Sequence, residues 1–234
     1  MKRIAILQSN YLPWKGYFDI INRVDCFVFL DTAQYTLRDW RNRNLIKTPQ
    51  GLCWLTVPTN GSQAMAIQEV QIDNAQFWAE RHLKALELNY RRTPCFNRFF
   101  PAIRDVLRHH HSSLSELNQC LISLICSWLK INTQFYQADD FVLLQGKNEK
   151  IISLVQQLGG THYLTGPAAK NYIIPELFDF NGITLEYMDY SHYLPYDQPW
   201  GTFEHGVTIL DLLFCCGAAA ADYIWGVQDA RSVS

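Results

Sequence analysis

Gln8-Ser9-Asn10-Tyr11-Leu12-Pro13-Trp14-Lys15-Gly16-Tyr17-Phe18 decides the fold through what stands on either side of it. Before it runs Ile4-Ala5-Ile6-Leu7, a short apolar stretch that reads as a buried strand. After it, Asp19-Ile20-Ile21-Asn22-Arg23 continues a helix, and Cys26-Phe27-Val28-Phe29-Leu30 is a second buried strand ending at Asp31. The order is strand, turn, helix, strand. In an open α/β sheet, ligands bind beyond the carboxyl ends of the strands, where such a turn lies. This turn carries more polar and aromatic groups than a connector needs, so it is expected to wall a binding site.

The same alternation returns late in the chain. Thr133–Tyr136, His162–Thr165 and Ile183–Asp189 read as strands. A helix with Ile151, Ile152, Leu154, Val155 and Leu158 on one face follows Gly146-Lys147-Asn148-Glu149 and ends at Gly159-Gly160. Residues 43–48 and 52–57 form a hairpin across Thr48–Gly51, and Ile67, Val70 and Ile72 mark a further strand. Residues 75–130 read as helices: one carrying Phe77 to Tyr90, one starting near Pro101, and one from Leu114 to Leu129. The last firm element is a helix over 207–214 closed at Gly217, followed by a weakly specified tail to Ser234. The expected architecture is a single α/β domain over 1–234. It has a mostly parallel sheet flanked by helices and a helical insertion or cap at about 75–130.

Composition narrows the function. A formal net charge of −2 and a pI near 6.4 give no general reason to expect nucleic acid or an anionic membrane. No apolar run is long enough for a membrane span, and Met1-Lys2-Arg3 is followed by too few apolar residues for a signal peptide, so a cytoplasmic location is expected. The seven cysteines include no C-x-x-C pair and mostly sit in apolar runs, as core fillers. His109-His110-His111 point in different directions on a helix, and no metal-ligand spacing occurs; no metal site is assigned.

Three segments carry candidate chemistry. In the first turn, Gln8, Asn10, Tyr11, Trp14 and Lys15 can hydrogen-bond or stack on a ligand. In the second, Arg38, Arg41, Arg43 and Lys47, interleaved with Trp40, Asn42 and Asn44, suit a phosphate and a stacked ring. In the third, Lys170 lies in the exit loop Thr165–Tyr172 and can hold an anion. Asp31, at a strand end, and His205, beside Glu204, are the candidate general bases; Glu186, Asp189 and Asp211 are further carboxylates of interest.

Together these segments resemble the WbqC-like protein family. The resemblance rests on Gln8-x-Asn10-Tyr11-Leu12-Pro13-Trp14-x-Gly16-Tyr17-Phe18, Phe29-Leu30-Asp31-x-x-Gln34-Tyr35 and Trp40-x-Asn42-Arg43-Asn44-x-Ile46-Lys47-Thr48-Pro49-x-Gly51. Trp54–Pro58, Tyr163–Lys170 with Tyr172, and Ile209-x-Asp211-Leu212-Leu213-Phe214 extend it; Ser9 and Cys215 depart from the family pattern, where Pro and Asn are usual. The resemblance implies a product of an O-antigen or related surface-polysaccharide gene cluster, with transfer of glycine or a similar small group to a sugar as a suggested role. The leading expectation is therefore a transferase on a sugar or nucleotide-linked sugar. Here Gln8, Asn10, Tyr11, Trp14, Lys15, Arg41, Arg43, Asn44, Lys47 and Lys170 bind substrate, and Asp31 or His205 is the base. Two alternatives stand beside it. One is a nucleotidyltransferase, for which Mg²⁺ would be needed; Trp14-Lys15-Gly16-Tyr17 has the glycine spacing of an H-x-G-H motif but lacks its histidines. The other is a non-catalytic sugar-nucleotide binding or assembly module. No motif requires a cofactor, and the oligomeric state is open.

Overall fold

The computed structural model describes residues 1–226; the tail read as weakly specified continues outside them. Its centre is a five-stranded sheet of β1 (Arg3–Leu7), β2 (Cys26–Phe29), β5 (Gln134–Gln137), β6 (His162–Thr165) and β7 (Thr184–Tyr187). The order is β5-β2-β1-β6-β7, and every pairing is parallel. Continuous apolar strands such as Ile4-Ala5-Ile6 fit this arrangement because both faces of a parallel sheet are covered. Ile4, Ile6, Cys26, Val28 and Tyr163 face helices α5 (Lys147–Gln157) and α6 (Pro175–Phe180). Ala5, Phe27, Phe29 and Leu164 face the larger core, with α1 (Lys15–Asn22).

The chain starts at β1, builds outward through β2 to β5, then crosses back through α5 to place β6 on the other side of β1. The order reverses between β1 and β6. Two strands that diverge in connection leave a crevice at their carboxyl ends, the favoured ligand position of such sheets.

Between β2 and β5 come the antiparallel hairpin of β3 (Arg43–Thr48) and β4 (Gly51–Thr56), then α2 (Trp78–Tyr90), α3 (Phe96–Arg108) and α4 (Leu114–Trp128). The hairpin and the helical stretch match the expectation. Ser113 caps α4, accepting from Glu116 N at 3.4 Å. Two details differ. Residues 67–72 are not a strand but a 3-10 turn at Ile67–Glu69 flanked by isolated bridges Thr59–Ile72 and Gln71–Ser113. Ile67, Val70 and Ile72 are buried as expected, but the 3-10 turn at Ile67–Glu69 breaks the strand period before Val70. Helix α3 begins at Phe96, five residues before Pro101; its buried stripe Phe96, Phe99, Ile103 and Leu107 outweighs the hydrogen bond that proline cannot donate. Among the cysteines, Cys26 and Cys126 are buried, whereas Cys53 and Cys120 are exposed. The closing helix, α7 (Ile209–Cys216), is capped by Thr208, and α8 (Asp222–Trp225) follows. No helix among the described residues is long and apolar enough to cross a membrane.

Candidate functional site

The turn after β1 is held from below by side chains far away in sequence. Leu12 has φ +42°, a left-handed conformation that a leucine rarely adopts. The amide of Asn44, on β3, stabilises it: Nδ2 donates to the carbonyls of Leu12 at 2.8 Å and Tyr11 at 3.2 Å, while Oδ1 accepts from Leu45 N at 2.8 Å. Asp31 is 2% exposed and accepts from Ser9 N at 2.8 Å, from the Ser115 hydroxyl and from Gln119 Nε2 at 3.1 Å. Tyr11 is wholly buried, and its hydroxyl meets His82 Nδ1 at 2.8 Å, while His82 Nε2 meets the Thr56 carbonyl at 3.1 Å. Burial lowers the His82 pKa to about 4 and raises that of Tyr11. A neutral imidazole therefore accepts from the phenol and donates from Nε2 to the carbonyl. At the helix start, a Cβ on Gly16 would lie 2.3 Å from the Trp14 indole. Glycine thus permits Trp14 to fold back, where its ring packs edge-on against Tyr190 at 4.9 Å and Tyr193 at 5.9 Å.

Above this turn, at the β1/β6 reversal, lies a cavity of about 580 Å³. Its floor is the strand ends: Leu7 and Gln8, Leu30, Thr165 and Gly166. Its rim is cationic, with Arg41, Lys147 and Lys150. Lys147 and Lys150 belong to the first turn of α5, whose free N–H groups add positive potential. Gly146 precedes them at φ +89°, and a Cβ there would lie 2.1 Å from the Glu149 carboxylate. Asn148 ties this helix start to the loop after β6, donating to the Tyr172 carbonyl at 3.1 Å and accepting from Ile174 N at 3.0 Å. Lys147 also lies 5.6 Å from the Tyr172 ring. Among the described residues neither Lys147 nor Lys150 has a carboxylate partner within 4.0 Å; Arg41 has Asp39 at 3.7 Å. Burial lowers the Arg41 pKa, partly offset by Asp39, yet a guanidinium stays charged at neutral pH.

A second cavity, of about 340 Å³, lies on the other side of Asn10 from Arg41. Asn10, Pro13, Trp14, Trp40, Asn44 and Gly206 line it. The Arg41 guanidinium, which lines the larger cavity, donates to Asn10 Oδ1, which lines the smaller one. Trp40 rests 5.5 Å from Trp54, over which Arg43 lies at 4.1 Å.

Of the residues singled out from sequence, Gln8 and Arg41 line the cationic cavity and Asn10, Trp14 and Asn44 the smaller one. The structure places the other positions outside the lining of both cavities. Tyr11 is a buried structural contact, 0% exposed. Lys47 is 4% exposed and holds the loop over it, donating to Gln198 Oε1 at 2.9 Å and to the Thr202 carbonyl. Lys15 is 3% exposed in a cage of Tyr193, Tyr196 and Phe203, with Nζ 3.4 Å from the Leu194 carbonyl; burial lowers its pKa to about 8. Arg43 stacks on Trp54, and Lys170 lies 5.1 Å from the Tyr187 ring; neither lines either cavity. Asp31 spends both oxygens on the first turn and α4, which favours positioning over proton transfer. His205 is exposed, next to Gly206 of the smaller cavity; burial and then Lys15 lower its pKa. Asp211 is buried and accepts from Tyr90 and Tyr196 hydroxyls, each at 2.8 Å, and from Gln198 Nε2 at 2.9 Å. Glu186 pairs with Arg3 at 3.4 Å, and Asp189 accepts from Ser191 N at 2.9 Å. Sequence reasoning passed over Lys147 and Lys150 as helix-start polar residues. The signal was present: glycine, then two lysines three apart, opening an amphipathic helix.

A larger cavity, about 770 Å³, lies elsewhere, between the end of α2 and the loop at 197–200. Arg91 and Arg92 there stand at a helix C-terminus, whose negative end works against holding an anion. Among the described residues no group of three His, Cys, Asp or Glu side chains can hold a metal ion.

The strand order and helices define an α/β protein with a cavity at its topological switch point. The chain belongs to the WbqC-like protein family, whose model matches residues 8–223. It is also 46% identical, over 227 residues, to an uncharacterized protein of Mycobacterium tuberculosis, a match covering 96% of this chain and 98% of that one. No solved structure matches it significantly.

Proposed function

We propose that the chain is a transferase of surface-polysaccharide biosynthesis, moving a small acyl or aminoacyl group such as glycine to a nucleotide-linked sugar. The observation that carries this reading is the cationic cavity at the β1/β6 reversal, where Arg41, Lys147, Lys150 and the start of α5 converge. Three cations and free helix N–H groups suit the phosphates of an activated sugar. Family membership supports the polysaccharide setting. In the transfer, a sugar hydroxyl or amine attacks the carbonyl carbon of an activated acyl donor. The new C–O or C–N bond forms, and the bond to the leaving group breaks with its electron pair. The nucleophile's proton passes to a base. His205 remains the proposed base: its exposed imidazole stands next to Gly206 of the smaller cavity, and burial and then Lys15 lower its pKa.

The test is ligand-induced stabilisation with pyrophosphate, nucleoside diphosphates and nucleotide-linked hexoses, for wild type and Lys147→Ala/Lys150→Ala. A ligand at about a hundredfold excess over its Kd stabilises the fold by about 2.7 kcal/mol. That stabilisation is expected in wild type and lost in the double variant, whose substitutions fall on an exposed and a half-buried side chain. Equal stabilisation of both proteins would reject the phosphate role of this cavity. Hits are then assayed for turnover with acyl donors.

A further inference from the structure

The smaller cavity differs chemically from its neighbour. Asn10, Pro13, Trp14, Trp40, Asn44 and Gly206 carry no formal charge, whereas the adjoining cavity gathers three cations. Among the described residues, the hydrogen bond from Arg41 to Asn10 joins a lining side chain of one cavity to a lining side chain of the other. Charge is thus segregated across one hydrogen bond. We propose that this smaller cavity holds the neutral pyranose ring of a sugar whose phosphates occupy the cationic cavity, so that the two form one extended site. The inference rests on the phosphate reading above and adds to it where the sugar goes and which residues recognise it.

The walls suit a sugar ring for stated reasons. A pyranose has one face of C–H bonds, which packs on an aromatic surface, and an edge of hydroxyls, which needs directed hydrogen bonds. Trp14 and Trp40 supply apolar walls and are already oriented in the free protein. Trp14 is fixed by Gly16, Tyr190 and Tyr193, and Trp40 rests against Trp54. Rigid walls reduce the ordering cost of binding. Among the described residues Asn10 Nδ2 makes no hydrogen bond, so it is free to donate to a hydroxyl, while its Oδ1 is held by Arg41. Asn44 shapes the cavity without offering a free group, since both amide atoms are engaged with backbone. A volume of about 340 Å³ accommodates one ring, not a chain of them. Because Arg41 touches both the phosphate cavity and Asn10, phosphate binding would also set the donor that meets the sugar.

The experiment uses the full chain with tryptophan indole N–H resonances assigned by substitution. The probes are methyl hexopyranosides, pyrophosphate and nucleotide-linked hexoses. Neutral hexosides and nucleotide-linked hexoses should shift the Trp14 and Trp40 signals. Trp40→Ala should weaken the nucleotide-linked hexose by about tenfold while leaving pyrophosphate affinity unchanged, and Trp40→Phe should restore most of it. Trp40 is 42% exposed, so the substitution spares the core. Indole signals that move with neither hexoside nor nucleotide-linked hexose overturn the inference, as does a Trp40→Ala protein that binds the nucleotide-linked hexose like wild type. A pyrophosphate response that survives Lys147→Ala/Lys150→Ala instead overturns the phosphate reading, and the indole response then still reports on the sugar cavity by itself.

Discussion

Replacing Asp31 separates a structural carboxylate from a catalytic one. In Asp31→Ala, the Ser9 N–H at 2.8 Å loses its acceptor inside a region that water does not reach. The Ser115 hydroxyl loses its partner too, whereas Gln119 keeps contacts with Ser115 Oγ at 2.9 Å and Gln137 Oε1 at 3.0 Å. Hydrogen bonds to a charged group contribute roughly 1.5–3 kcal/mol each, so losing two fully, with the third largely compensated, costs about 3–6 kcal/mol. An unfolding entropy of about 2.1 cal/mol/K per residue makes roughly 0.5 kcal/mol/K for a chain of this length, which converts the loss to a fall in Tm of about 6–12 °C. Asp31→Asn retains an acceptor for Ser9 N–H and offers an amide to the Ser115 hydroxyl, which can reverse its role; its cost is about 1–2 kcal/mol. Scanning calorimetry or thermal melts followed by circular dichroism read both variants, alongside ligand binding. A positioning role predicts that Asp31→Asn keeps most binding and turnover while Asp31→Ala melts early. An Asp31→Asn protein that melts within about 4 °C of wild type yet has lost turnover would refute this reasoning and return Asp31 to the role of base.

Gly16→Ala places a methyl 2.3 Å from the Trp14 indole and must expel the ring; about 1–3 kcal/mol of destabilisation and a changed Trp14 indole resonance are expected, read by denaturant melts and NMR. Asn44→Ala leaves the Tyr11 and Leu12 carbonyls without their donor and removes the support for a left-handed leucine, a loss of about 2–3 kcal/mol measurable by urea unfolding. His82 adds a pH dependence. Its pKa is about 4 in the fold against about 6.5 unfolded, so the unfolded chain binds the extra proton between those values. The stability present above about pH 6.5 is therefore lost as pH falls toward 4, by about 2–3 kcal/mol between pH 7 and pH 4.5. Urea unfolding at the two pH values should show a smaller change in His82→Gln than in wild type, and equal changes would mean that His82 is not held neutral.

Much of the architecture is visible in residue order because local pattern and burial agree. Ile4-Ala5-Ile6, Cys26-Phe27-Val28 and Tyr163-Leu164 are continuous apolar runs, and a strand buried on both faces needs little else to be recognised. Gly51 and the residues around it mark the hairpin, and helices α2 and α4 keep clear periodicity. Where one residue type serves several purposes, pattern alone misleads. Val70 and Ile72 look like strand residues yet follow a 3-10 turn and take part in no strand beyond isolated bridges, and Pro101 looks like a helix start yet lies inside α3.

The candidate site shows the same division more sharply. The first turn, Gln8 to Phe18, announces itself by composition, since a strand–turn–helix with so many polar and aromatic groups is more than a connector. Sequence by itself therefore determined the parallel α/β frame, the family and one wall of the crevice. Tertiary structure alone decided which charges face that crevice. Lys15 and Lys47 look like surface cations but are 3% and 4% exposed, consumed by an aromatic cage and a loop carbonyl. Lys147 and Lys150, unremarked in sequence, reach the cavity because β6 returns beside β1 and brings the start of α5 over the same strand ends. A lysine's value to a ligand depends on where its ammonium sits and whether it already has a partner, and both depend on chain crossings more than a hundred residues apart.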